Sequence, residues 1–153
     1  MKLAEALINR ADVQKRIQQL RERLSRSAKV QEGETPPENP VELMNELDRT
    51  ISNLTDLVKK INKTNSETEI QTGVTLTQAL AERDALALKR DILTNLIQAA
   101  AVTQSRYSRS EVKFFSTINV QEIQKQADDL ARQYRELDTH IQELNWQTDL
   151  IET

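Results

Sequence analysis

"VQEIQKQADDLARQYRELDTHIQELNWQTDLI", residues 120–151, decides the fold class. Val120, Ile123, Ala127, Leu130, Tyr134, Leu137, Ile141, Leu144, Thr148 and Ile151 alternate by three and four residues along its whole length. That spacing lays one apolar stripe along a helix and is the pattern of a coiled-coil seam. The stretch opens with Asn119-Val120-Gln121-Glu122, a short polar cap with glutamate at the third helical position. Such a pair satisfies amide groups that the first turn of a helix leaves without partners.

The same chemistry marks two more helix starts. Asn39-Pro40-Val41-Glu42 supplies a cap, a proline at the first helical position and an acidic third residue, and Thr75-Leu76-Thr77-Gln78 repeats the logic. A further helix is expected to begin near Met1. Val13, Ile17, Leu20 and Leu24 form the expected seam of the first helix, and Met44, Leu47, Ile51, Leu54, Val58 and Ile61 that of the second. Helices of this kind run to about 45 Å. Short links, including the proline-bearing "QEGETPPENP" (31–40) and the stretch around Gly73, imply antiparallel neighbours. The expected fold is all-α: one domain over residues 1–153, an antiparallel four-helix bundle of long coiled-coil-like helices. Residues 1–30 carry eight basic and three acidic side chains and residues 120–153 the reverse, so the first and last helices are expected side by side.

The third helix departs from the single-stripe pattern. Of the 27 residues from Leu76 to Val102, 16 are apolar and surround most of the helix. A broad apolar surface needs more than one partner. Leu86, Leu93 and Ile97 suffice for the bundle, which leaves Leu88, Ile92, Leu96 and Ala99 as a candidate oligomer interface and implies a closed homo-oligomer.

Between the third and fourth helices lies "RYSRSEVKFF" (106–115), with both phenylalanines in a chain that is only 3% aromatic. Val112, Phe114, Ser116 and Ile118 alternate with more polar neighbours, the period of a strand, so a short extended connector is expected here. Phe114 and Ile118 are expected to plug the end of the bundle. Arg106, Tyr107, Ser108, Arg109 and Glu111 form a candidate connector site, because guanidinium groups beside hydroxyls suit phosphate or carboxylate.

A second candidate site comes from polar residues on the apolar seams. Arg10 and Asn65 extend the stripes of the first two helices, and Arg83 interrupts that of the third. With Asn62 and Asp84, and with His140 and Trp146 at the same expected end, they form either a register-setting polar layer or a pocket for a small anion.

Composition restricts the chemistry. The chain has no cysteine, so disulfides, thiolate metal sites and a cysteine nucleophile are excluded. His140 is the single histidine, and its Glu136 and Glu143 neighbours do not reproduce the paired Glu-x-x-His repeats of di-metal bundles, so no metal and no cofactor is expected. Phosphate-binding glycine loops and hydrolase nucleophile motifs are lacking, and no enzymatic activity is expected. The basic run Lys15, Arg16, Arg21, Arg23, Arg26 and Lys29 reads as the complement of the acidic last helix; with a pI of 5.3, no nucleic-acid partner is expected. The opening "MKLAEALINRAD" carries Glu5, Arg10 and Asp12 where a secretory signal requires apolar residues, and no span reaches the ~20 apolar residues of a membrane helix. A soluble, cytoplasmic protein is the expectation.

Finally, "MKLAEALINRADVQKRIQQLRERL", "AKVQEGE", "KINKTN", "LTQALAERDAL", "RYSRSEVKFFSTINV" and "LDTHIQELNW" resemble a small bacterial family labelled septicolysin-like, over essentially the whole chain. The resemblance carries no catalytic residues with it. Its name implies membrane action of the cytolysin type, an alternative to a structural or interaction role; binding of a small anion is a further one.

Overall fold

Capping residues set the helix boundaries. The computed structural model describes residues 1–101 and 112–153. In it α2 spans Pro40–Glu67, and the Asn39 Oδ1 caps it by accepting hydrogen bonds from the amides of Val41 (2.9 Å) and Glu42. α4 spans Val120–Gln147, with the Asn119 Oδ1 accepting from the Glu122 amide at 3.2 Å. α3 spans Leu76–Ala100, starting directly after Thr75. α1 spans Leu3–Arg26; there the Glu5 carboxylate reaches back to the Lys2 amide at 3.0 Å.

Helix thus dominates the described residues, with one addition that sequence did not reveal. Glu69–Gln71 (β1) and Val74–Thr75 (β2) pair as a small antiparallel hairpin between α2 and α3. Gly73 turns it with φ of +82°, a conformation that side chains with a Cβ rarely adopt. Strands of three and two residues are too short for an alternating pattern, which is why the stretch reads as a plain turn.

The described chain divides into two compact units, residues 1–76 with 142–153, and residues 77–141. In the first, α1 packs on α2. At one end the Arg23 guanidinium grips Glu38, just ahead of α2, with Nε 2.9 Å from Oε2; this contact holds the Glu38 carboxyl below its ordinary value. At the other end the segment after α4 ties the start of α1 to the end of α2. The Leu3 amide donates to the Thr148 carbonyl (2.9 Å) and the Leu150 amide to that of Met1 (2.8 Å). The Ile151 amide donates to the Thr64 hydroxyl and Lys63 Nζ to the Thr153 carbonyl, both at 2.9 Å. Start of α1 and end of α2 therefore meet, and the two helices are antiparallel. Lys2 adds an ion pair with Asp149 at 2.8 Å, which lowers the Asp149 carboxyl from its ordinary value.

The α1 seam is as expected: Leu3, Ala6 and Leu20 are buried and Val13, Ile17 and Leu24 half-buried. The α2 seam needs correction. Met44 and Ile51 face solvent at 56% and 43% exposure, and the inward row is Leu43, Leu47, Thr50, Leu54, Leu57, Ile61 and Thr64. Leu47, Leu54 and Ile61 are common to both rows, so apolar spacing alone leaves the register open by one residue. Threonine resolves it. The Thr50 hydroxyl donates to the Glu46 carbonyl (2.7 Å) and that of Thr64 to Lys60 (2.8 Å), so each enters the core with its donor satisfied by its own helix.

Candidate functional site

In the second unit two charged positions on the α3 stripe, Arg83 and Arg90, reach side chains of α4. Leu76 and Ala79 are buried, and Arg83, Leu86, Arg90, Leu93 and Ile97 are half-buried along the same row. Arg83 Nη1 donates to Asp138 Oδ1 at 2.8 Å, and its Nη2 lies 3.6 Å from Asp84. One heptad later the Arg90 guanidinium sits 5.4 Å from the centre of the Tyr134 ring, a cation–π contact. The pairs 83–138 and 90–134 run in opposite chain directions, so α3 and α4 are antiparallel within this unit. Along the α4 stripe Ala127, Leu130 and Ile141 are buried and Ile123, Tyr134, Leu137 and Leu144 half-buried, whereas Val120 is exposed and Thr148 and Ile151 lie beyond the end of the helix.

Arg83 is thus engaged, and its principal carboxylate is Asp138, not the largely exposed Asp84. Asp138 follows the stripe residue Leu137, and Arg90 repeats Arg83 seven residues on; both were legible as seam-edge partners and neither stands out without knowing which helices face. Arg83 and Asp138 are 22% and 32% exposed, between the surface and buried limits for ion pairs. Arg83→Ala is therefore expected to cost about 1–3 kcal/mol, and a thermal-unfolding cycle with Asp138→Ala should show the two losses to be less than additive. Unfolding of Arg83→Ala indistinguishable from the parent would refute a structural role for this pair.

The other members of the expected polar layer are placed differently. Arg10, Asn62 and Asn65 belong to the first unit, Arg83 and Asp84 to the second. Arg10 and Asn65 are half-buried on their seams; Asn62 is exposed and forms no part of a buried layer. Among the described residues no hydrogen bond or ion pair engages the side chain of Arg10, Asn62 or Asn65. His140 and Trp146 are exposed as well, and no group of three or more potential metal-binding side chains occurs among the described residues.

The expected interface residues of α3 lie on its open side. Leu88, Ile92 and Leu96 are 63%, 56% and 38% exposed, and Ala99 is exposed too. At the last turn of the helix, Leu96, Ala99 and Ala100 line a cleft of about 520 Å³ whose other wall runs from Phe114 to Ile118. The structure thereby brings together the end of the candidate interface and the aromatic connector. Residues 112–117 adopt no strand, and Phe114 is 75% exposed, so it does not plug the helix ends; Ile118 alone is half-buried. Arg106, Tyr107, Ser108, Arg109 and Glu111 lie outside the described residues.

A family model described as "Family of unknown function (DUF6847)" matches residues 10–150. The chain belongs to the DUF6847 family. It is also similar to a solved structure, described as a functionally unknown conserved protein from Corynebacterium diphtheriae, with 48% identity, a TM-score of 0.91 and 99% of each chain covered. No curated protein matches the chain. The DUF6847 match takes in most of α1 and the whole of α2, α3 and α4, and neither match bears on the septicolysin-like resemblance.

Proposed function

We propose that this DUF6847 protein is a self-associating helical protein with a structural or interaction role, acting in the cytoplasm and without catalysis of its own. The observation that carries this reading is the exposed apolar row Leu88, Ile92 and Leu96 on α3, the opposite face from the seam that holds Arg83 and Arg90. Contiguous apolar surface of this kind marks an interaction site more often than idle surface. An antiparallel bundle of coiled-coil-like helices is the architecture proposed with it, supported by the antiparallel order of α1 with α2 and of α3 with α4. The septicolysin-like resemblance is kept as a family likeness, without the membrane action its name implies. No helix among the described residues is long and apolar enough to cross a membrane, and α3 carries Glu82, Arg83, Asp84, Lys89, Arg90 and Asp91. A charged residue at the bilayer centre costs about 2.5–3.5 kcal/mol on insertion scales.

Light scattering at micromolar concentration tests the proposal. A mass that is a multiple of 17.6 kDa is expected, falling to that of one chain in Leu88→Glu with Leu96→Glu. A parent protein that scatters as a single chain would defeat it.

A further inference from the structure

The open face of α3 has a heptad-like order of its own. Ala81, Ala85, Leu88, Ile92 and Ala99 repeat at intervals of four, three, four and seven residues, Leu96 borders them, and all are exposed. On a helical wheel Glu82 and Lys89 flank one edge of this stripe and Asp84 and Asp91 the other. The acidic edge is compensated inside the chain: Asp84 lies 3.6 Å from Arg83 and Asp91 3.7 Å from Arg90. The opposite edge is not. Among the described residues no ion pair or hydrogen bond engages the side chain of Glu82 or Lys89, and neither has an opposite charge three or four residues away on α3.

We infer that two copies of the chain pair antiparallel through this stripe, about a two-fold axis level with Leu86 and Ala87, so that Glu82 of each copy meets Lys89 of the other. The inference rests on the self-association proposed above and names its geometry. Antiparallel helices bring like edges together, and the edge bearing Glu82 and Lys89 is self-complementary because its two charges are opposite and seven residues apart. The same register sets Ala85 against Leu88 of the second copy and Ala81 against Ile92, one small and one large side chain at each level. A parallel pair would crowd Leu88 on Leu88 and leave a gap at Ala85, contrary to the even packing that apolar interfaces require. The Asp84 and Asp91 edges also face each other in this arrangement, each carboxylate keeping its arginine neighbour.

Charge exchange on the full-length chain tests the register, read by sedimentation of the parent, Glu82→Lys, Lys89→Glu and the double exchange. The positions are exposed, and circular dichroism should show equal helix content in all four. Each single exchange turns both intermolecular attractions into repulsions and should weaken association by about tenfold, and the double exchange should return it to within about threefold of the parent. Singles that associate like the parent, or a double exchange no better than the singles, would overturn this register while leaving self-association standing. A parent that sediments as a single 17.6 kDa chain would overturn both. The chain has no cysteine, so orientation can be read separately: Ala81→Cys mixed with Ile92→Cys should crosslink on mild oxidation, whereas two copies of residue 81 lie about 16 Å apart along an antiparallel pair. Ready crosslinking of Ala81→Cys alone would mean a parallel pair and would refute the antiparallel one.

Discussion

Ile61→Ala is expected to destabilise the protein by about 2–5 kcal/mol, whereas Ile51→Ala, ten residues earlier on the same helix, should change stability by less than about 1 kcal/mol. Ile61 is fully buried on the face that α2 turns inward, and truncation there removes transfer energy and leaves a cavity. Ile51 is 43% exposed, and the better helix propensity of alanine offsets part of what its burial contributes. Both are isoleucines on the stripe that apolar spacing predicts for this helix, so the comparison isolates position from chemistry. Denaturant unfolding followed by circular dichroism, at matched protein concentration because association shifts apparent stability, measures the difference. Equal losses would mean that the seam runs through Met44 and Ile51 after all.

Thr64→Val should release the segment that follows α4. Valine matches threonine in shape, so the substitution removes only the hydroxyl, which donates to the Lys60 carbonyl and accepts from the Ile151 amide at 2.9 Å. Thr64 is fully buried, and the Ile151 amide is left without its acceptor, at an expected cost of about 1–3 kcal/mol. Hydrogen exchange should show the Ile151 and Leu150 amides losing protection while those in the middle of α1 keep theirs, since the loss is confined to one local opening. Unchanged exchange at Ile151, with parental stability, would show that Thr64 does not hold this segment.

These substitutions separate what could be read in advance from what could not. Asn39 and Asn119 were legible as helix starts because capping is local: a side chain meets amides two or three residues along its own backbone, with no dependence on the rest of the fold. The α4 stripe was legible for a related reason, since unbroken three-and-four spacing leaves one apolar face to bury. The α2 stripe was legible only to within one residue. Thr50 and Thr64 count as polar in any hydropathy pattern, and they become inward residues once the helix backbone satisfies their hydroxyls.

Sequence by itself determined the helices, their caps, the surplus apolar surface of α3 and the chemistry that a chain without cysteine cannot perform. Tertiary structure decided which carboxylate Arg83 takes, that Arg90 lies over Tyr134, that Phe114 remains exposed and that Thr64 receives the Ile151 amide. The physical reason is range. Propensity, capping and periodicity act within a few residues, so their outcome is written in adjacent letters. Ion pairs, ring contacts and clasped termini join residues dozens of positions apart, and each carboxylate on α4 is an equally acceptable partner for Arg83 until packing places one of them within 2.8 Å.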